Sequence, residues 1–161
     1  MNNKRVLLTG VSGFLGSHTA IQLLEKGYIV IGTLRNMERA KSIKAIIENH
    51  SSKAQNITFV EADLNSTDVW YQLTKSIDFT QHIASPFPRV LPKTESELTG
   101  PAKSGTINIL NAASANGVKR IVITSSVVSV LYGKTKNELA STFTENNWTL
   151  AYVIKLHQGS S

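Results

Sequence analysis

One eight-residue stretch near the N-terminus, Thr9 to Gly16, constrains the fold more than any other part of the sequence. It reads Thr-Gly-Val-Ser-Gly-Phe-Leu-Gly and stands between a short apolar run and a helical pattern over residues 14–26. The three glycines suit three tasks: a tight turn out of a strand, bare backbone for a pyrophosphate, and close packing of helix on strand. The N–H groups and the dipole of the following helix favour an anion at this turn. In this context the stretch predicts a phosphate-binding turn, whereas the same glycine spacing alone would indicate only a loop.

Apolar segments alternate with helical patterns along the whole chain. The predicted strands are 4–9, 28–33, 57–61, 79–84 and 120–124, and the predicted helices are 14–26, about 37–49, 66–75 and 101 to about 115. This alternation predicts an α/β fold with a doubly wound parallel sheet of order 3-2-1-4-5 and three α/β/α layers.

Two predictions concern the helices. In the first helix, the residues spaced by three and four predict a sheet-facing stripe of Phe14, Ser17, Ala20, Ile21 and Leu24. In the helix after the fourth strand, Pro101 suits the first turn, with Gly100 or Thr99 as N-cap.

Composition narrows the class of protein. A chain of 161 residues with 41% hydrophobic content suits one compact domain. It has no cysteine, so neither a disulfide nor a thiolate metal site is expected, and no metal-binding residues are predicted. No apolar stretch approaches the roughly 20 residues of a membrane span, and we expect a soluble, cytoplasmic protein. The formal charge is +6; because Lys and Arg are scattered, we expect a field that attracts an anionic cofactor rather than nucleic-acid binding.

Arg35 stands at the exit of the second predicted strand, where this architecture meets the adenine ribose of a dinucleotide. An acidic residue there would bind the free hydroxyls of NAD, but none occurs from Thr33 to Asn36. A guanidinium suits a 2′-phosphate, so the sequence favours NADP, with NAD possible. The alternative is a surface cation at a strand end. Lys41 and Lys44 either extend the same pocket or are ordinary solvated lysines.

Three further polar residues have structural interpretations on sequence grounds. Asp63, just past the third strand, either accepts from an adenine amino group or caps the next helix, and the cap is favoured. His82 alternates with apolar residues in the fourth strand and is expected to pack. Ser126, considered alone, is more often a cap or turn residue than a catalyst.

Several motifs in this order resemble a known family. They are the glycine turn, Arg35, Ala62-Asp63-Leu64, His82-Ile83-Ala84-Ser85-Pro86 and Thr124-Ser125-Ser126. The chain resembles the extended short-chain dehydrogenase/reductases of the NAD-dependent epimerase/dehydratase superfamily. It is most similar there to the branch of dihydroflavonol 4-reductase, cinnamoyl-CoA reductase and aldehyde reductases. The resemblance implies a Rossmann-like fold and hydride transfer from a nicotinamide to a substrate carbonyl.

The resemblance also implies a set of site residues. Asp63 and Leu64 would flank adenine, residues 84–86 would line the nicotinamide side, and Ser126 would be the catalytic serine. The cofactor-binding residues are then Thr9, Gly10, Ser12, Gly13, Phe14, Leu15, Gly16, Arg35, Lys41, Asp63, Leu64, Ala84, Ser85, Pro86, Thr124 and Ser125.

The sequence departs from this family after residue 149. The family's catalytic Tyr-x-x-x-Lys is absent, and its nearest substitute is Tyr152 with Lys155, at a spacing of three. Spacings of three and four differ by about 100° around a helix axis, so Lys155 would not lie where the family's lysine does. We therefore expect a cofactor-binding domain over 1–149, an atypical tail over 150–161 and no substrate domain.

Three functional hypotheses follow. The first is the cofactor-binding portion of an NADP-dependent carbonyl reductase that acts on a small-molecule carbonyl substrate, as a monomer or homodimer. The second is a nucleotide-binding or redox-sensing module without turnover. The third is an NAD-dependent nucleotide-sugar epimerase or dehydratase, against which Arg35 argues.

Overall fold

The computed structural model describes residues 4–86 and 94–149. The chain divides into two compact units, Met1–Ile123 and Thr124–Ser161.

The first unit is built on a five-stranded parallel sheet. Its strands are β1 (Arg5–Thr9), β2 (Ile29–Leu34), β3 (Ile57–Glu61), β4 (Phe79–His82) and β5 (Arg120–Ile123), and its helices are α1 (Phe14–Glu25), α2 (Ala40–Glu48), α3 (Thr67–Thr74) and α4 (Glu95–Ala115). The strand order is β3-β2-β1-β4-β5, and every pair is parallel. The predicted doubly wound topology is therefore confirmed.

Helices cover the two faces of this sheet because successive side chains of a strand point to opposite sides. Leu8 belongs to a core that includes Ala20 and Leu24 of α1. Leu7 belongs to a second core, with Trp70 of α3 and Ile109 of α4. The result is the expected three-layer arrangement around a central strand that is buried from Val6 to Thr9.

The predicted stripe of α1 is wrong at its first residue. Phe14 is 84% exposed, and the fully buried residues of this helix are Gly16, Ala20 and Leu24. The helix comes closest to the sheet at Gly16, where no side chain separates the two backbones. The ring of Phe14 points away from this contact and is exposed. That ring instead meets His18 edge-on, with centroids 4.7 Å apart.

The predicted start of α4 is also wrong. The helix begins at Glu95, with Thr94 as N-cap, and Pro101 lies inside it. A proline within a helix cannot donate the amide hydrogen bond to the carbonyl four residues earlier, which is why the sequence favoured a start there. The conformation is tolerated because the preceding residue, Gly100, has no Cβ to meet the proline ring.

Within the second unit, the described residues form two short helices, α5 (Val128–Leu131) and α6 (Lys136–Leu139). Thr135 and Glu138 form a reciprocal capping box at the start of α6. The N–H of Thr149 donates to the carbonyl of Ser129 over 2.8 Å. This bond connects the last described residue to α5. In the part of the chain that the structure describes, no helix combines the length and the apolar character needed to cross a membrane.

Candidate functional site

A cleft of about 760 Å³ opens at the carboxyl ends of the strands in the first unit. Its walls come from the glycine turn, the exits of β2, β3 and β4, and one residue each of α3 and α4. The lining residues are Gly10, Ser12, Gly13, Phe14, Leu15, Gly16, Thr33, Leu34, Arg35, Asn36, Arg39, Ala62, Asp63, Leu64, Asn65, Trp70, Ile83, Ala84, Ser85, Pro86 and Pro101. In an open α/β sheet this edge is where ligands bind.

Two of the three glycines in the turn are required by the protein itself. Gly10 has φ of +73°, and a Cβ there would lie 2.9 Å from the backbone nitrogen of Ala84. A Cβ at Gly16 would lie 2.0 Å from the carbonyl oxygen of Gly10. The turn is closed by the N–H of Gly13, which donates to the carbonyl of Gly10 over 3.0 Å.

Gly13 differs from the other two because none of the residues that the structure describes crowds it. A Cβ there would meet only the carbonyl oxygen of Gly10, at an ordinary contact distance of 3.5 Å. The residue is exposed, lines the cleft and is the N-cap of α1 without a side-chain cap. The first N–H groups of α1 therefore face open space beside bare backbone, which is the arrangement that accepts a phosphate.

Two guanidinium groups line the cleft near the exit of β2. Arg35 is there as predicted, and Arg39, which the sequence reasoning missed, lies four residues further on. The Nη2 of Arg39 donates to the carbonyl of Ser12 over 3.4 Å, which links this exit to the glycine turn. Arg39 ends a short 3-10 turn, Met37–Arg39, whose start is capped by Asn36. The sequence alone gave no signal that this turn would bring Arg39 to the cleft.

The structure separates the two lysines from this pair. Lys41 is exposed on α2 and is not among the residues that line the cleft. Lys44 donates from Nζ to the carbonyl of Ala54 and, over 3.5 Å, to that of Ile57. The suggestion that Lys44 extends the pocket is therefore wrong, since its ammonium group fastens α2 to the segment before β3.

The loop after β3 forms a second wall. The favoured cap role of Asp63 is wrong: Ser66 is the N-cap of α3, and Oδ1 of Asp63 instead accepts from the N–H of Asn65 over 2.7 Å. The loop is held from behind by α4, because Asn108 donates to the carbonyl of Leu64 over 3.1 Å. Asp63 is the only acidic residue among the described residues that line the cleft.

Thr9 stands behind the cleft rather than on its surface. Its side chain is fully buried, and Oγ1 accepts from the N–H groups of Ile83 and Ala84, each over 3.0 Å. His82 is buried as predicted, but it does more than pack: Nδ1 lies 2.7 Å from Oγ1 of Thr9. These bonds explain why β4 ends at His82, two residues earlier than predicted. Ala84, Ser85 and Pro86 line the cleft beyond it.

The remaining predicted residues belong to the second unit. Oγ of Ser126 accepts from the N–H of Val128 over 3.3 Å, as expected of a turn serine, and Ser126 is exposed. Oγ of Ser129 donates to the carbonyl of Ser126 over 2.6 Å and lies 3.1 Å from Oγ of Ser125. Thr124 directly follows β5. Tyr152 and Lys155 lie outside the described residues.

His82 is buried behind the cleft wall, and its imidazole has a shifted pKa. Burial lowers the pKa of its imidazole below the ordinary value, and no charged side chain contributes to that shift. Burial therefore favours the neutral form of the ring over the charged form.

Comparison with known proteins identifies the family. The sequence profile of the GDP-mannose 4,6-dehydratase family matches residues 7–149. The chain belongs to this family. That assignment confirms the resemblance to the epimerase/dehydratase superfamily.

Named relatives fall in the predicted branch. A putative uncharacterized oxidoreductase of Schizosaccharomyces pombe is 37% identical over 150 residues, covering 92% of this chain and 44% of that protein. Dihydroflavonol 4-reductase of Callistephus chinensis is 31% identical, covering 89% of this chain and 39% of the relative. The crystal structure of yeast methylglyoxal/isovaleraldehyde reductase Gre2 complexed with NADPH is 29% identical with a TM-score of 0.76, covering 91% of this chain and 44% of that one. The chain thus spans less than half the length of these proteins.

Proposed function

We propose that this chain is the cofactor-binding portion of an NADP-dependent carbonyl reductase. The observation that carries the proposal is the pair of guanidinium groups, Arg35 and Arg39, in one cleft with the glycine turn. Charge-assisted, bidentate bonds from arginine suit a phosphate ester. The described residues that line the cleft at the exit of β2 include no acid that would select the free ribose hydroxyls of NAD.

The residues of the cleft fit such a cofactor. The uncrowded backbone at Gly13 and the start of α1 would hold the pyrophosphate, and the two arginines would hold the 2′-phosphate. One oxygen of Asp63 is engaged by Asn65, which leaves Oδ2 to accept from an adenine amino group. Residues 84–86 would line the nicotinamide side.

The proposed reaction is hydride transfer to a carbonyl group, and three residues of this chain would take part in it. When bound, NADPH supplies a hydride to a carbonyl carbon. Ser126 would orient the carbonyl oxygen with its hydroxyl, and Tyr152 with Lys155 are the chain's candidates for proton donation. The relatives named above are oxidoreductases and reductases. Because the chain spans less than half of their length, substrate binding and turnover are part of the proposal.

The first experiment compares the two cofactors. Titration of the purified chain with NADPH and with NADH, followed by cofactor fluorescence, should give clearly tighter binding of NADPH. Tight NAD that copurifies, or equal affinity for both cofactors, would favour the nucleotide-sugar epimerase or dehydratase hypothesis instead.

A second experiment separates a reductase from a binding module. NADPH oxidation is measured with a panel of aldehydes and ketones for the wild type and for Ser126→Ala. A reductase should oxidise NADPH with some of these substrates, and the variant should lose turnover while it retains NADPH affinity. Binding without oxidation for any substrate would favour the module.

The cellular setting completes the proposal. We place the protein in the cytoplasm, which agrees with its lack of cysteine. We expect a monomer or a homodimer, which light scattering on the purified chain distinguishes from larger assemblies.

A further inference from the structure

The hydroxyl of Thr9 has three polar neighbours in the wall of the cleft. The N–H groups of Ile83 and Ala84 each lie 3.0 Å from Oγ1, and Nδ1 of His82 lies 2.7 Å from it. Thr9 is fully buried and His82 is 4% exposed. All three contacts are therefore made away from bulk water, where a mismatched donor or acceptor is costly.

The hydrogen-bond donors and acceptors around Oγ1 of Thr9 determine which ring nitrogen of His82 carries a proton. A hydroxyl offers one donor and two acceptor sites, and a backbone N–H can only donate. The two N–H groups occupy both acceptor sites of Thr9, so its single proton remains for Nδ1 of His82. That nitrogen must then be an acceptor without a proton of its own, and the proton of the neutral ring is on Nε2.

The segment that donates two of these hydrogen bonds is part of the site. Ile83 and Ala84 line the cleft. The backbone nitrogen of Ala84 also lies where a Cβ on Gly10 would be 2.9 Å away, so this segment lies directly against the glycine turn. A displacement of residues 83–84 would change the wall on which the proposed cofactor rests.

We propose that His82, neutral and protonated at Nε2, is a positioning residue of the cleft. Its Nδ1 accepts a hydrogen bond from the Thr9 hydroxyl. Both lone pairs of that oxygen are then available to accept from the N–H groups of residues 83 and 84, which holds this segment in place. A proton on Nδ1 would set three donors against two lone pairs and would release one of them. The part of this inference that concerns a cofactor rests on the proposed function.

The tautomer can be measured without any cofactor. In the chain labelled with ¹⁵N at histidine, a long-range ¹H–¹⁵N spectrum at neutral pH shows which ring nitrogen carries the proton, and the His82 signal is assigned by its loss in His82→Asn. We expect an Nε2-protonated ring. A ring protonated at Nδ1, or at both nitrogens, would overturn the assignment.

Two substitutions then test positioning. His82→Asn keeps an acceptor oxygen near the position of Nδ1, whereas His82→Leu keeps bulk and removes the acceptor. We expect NADPH affinity close to wild type for the first and roughly five- to tenfold weaker for the second, the scale of one buried hydrogen bond. His50→Leu controls for loss of a histidine, because His50 is exposed, lies just after the C-terminal end of α2 and does not line the cleft.

The affinities of the two His82 variants decide whether His82 has the positioning role. Equal affinity in wild type and His82→Leu, or an equal loss in both His82 variants, would overturn the positioning role. If His82→Leu does not fold, the spectrum and the Asn variant still decide. Failure of the wild type to bind NADPH would overturn the proposed function and the cofactor part of this inference, while the spectrum would separately test the tautomer.

Discussion

The backbone of Gly16 lies directly against that of Gly10. A Cβ on Gly16 would lie 2.0 Å from the Gly10 carbonyl oxygen and 2.9 Å from Cα of Val11. Both obstacles are main-chain atoms in a buried turn, so neither can move aside as a flexible side chain would.

Gly16→Ala should therefore destabilise the fold. The methyl group would force α1 away from the turn, and overpacking against backbone costs about 3 kcal/mol. Urea unfolding followed by circular dichroism should show the loss whether or not a cofactor is present. A stability equal to that of the wild type would show that the helix can shift without cost.

Gly13→Ala is the matched variant with the opposite expectation. No residue in the described part of the chain crowds this position, so the free energy of unfolding should fall by about 1 kcal/mol or less, the cost of alanine as an N-cap. NADPH affinity should nevertheless fall roughly tenfold or more, because the methyl group occupies the space proposed for the pyrophosphate. Unchanged affinity by fluorescence titration would place the phosphates elsewhere.

Arg35→Glu should weaken NADP binding far more than NAD binding. It replaces a phosphate partner with a repelling charge, and a charge-assisted bond of this kind corresponds to roughly a 10- to 100-fold change in affinity. Lys41→Glu makes the same change of charge on an exposed residue outside the cleft lining, so it should have little effect on either cofactor. Equal losses of NADPH and NADH affinity in Arg35→Glu would rule out the role assigned to it.

Much of the fold could be predicted because local patterns and global topology agree. The alternation of strand and helix patterns gave the strand order, and β3 lies at its predicted bounds, Ile57–Glu61. The two failures have different causes: periodicity does not report distances between backbones, and the proline signal does not report that a glycine before it lets the helix continue. Phe14 fits a helical stripe, yet the helix contacts the sheet at Gly16; Pro101 signals a start, yet α4 begins at Glu95.

The site was predictable where a residue's role is set by its position in the chain. The glycine turn and Arg35 are of this kind, and both line the cleft. Arg39 and the partner of His82 were not predictable, because they depend on how a 3-10 turn and two strand ends meet in space. Spacing along the chain likewise could not tell that Lys44 reaches carbonyls near β3 rather than the cleft.

Gly105→Ala should disturb the loop after β3. A Cβ on Gly105 would lie 2.8 Å from Cβ of Leu64, so α4 and the loop could not both keep their places. We expect a loss of stability of about 1–3 kcal/mol together with weaker NADPH binding. Ser114→Ala, on an exposed position of the same helix, should leave both unchanged; retained NADPH affinity in Gly105→Ala would show that the loop does not contact the cofactor.

The buried histidine predicts how stability depends on pH. Burial lowers the pKa of His82 in the folded chain, whereas the unfolded chain takes up a proton near the usual value of about 6.5. As the pH falls from 6.5 towards the folded pKa, the unfolded state binds more protons, so the free energy of unfolding decreases, by at most about 1.4 kcal/mol per pH unit for one group. The N–H of Arg5 and then Lys4 and Lys119 lower the pKa of Asp78 from 3.8. The stability that this carboxylate contributes is therefore lost only as the pH falls to about 3.8 and lower, below this range.

His82→Asn should flatten that dependence. The asparagine does not titrate, so the slope of unfolding free energy against pH between 6.5 and 5 should fall relative to the wild type, even if the absolute stability of the variant differs. Chemical denaturation at half-unit intervals of pH measures the slope directly. Parallel curves for wild type and variant would mean that His82 takes up its proton equally in both states, and then neither burial nor the hydroxyl of Thr9 holds the ring neutral.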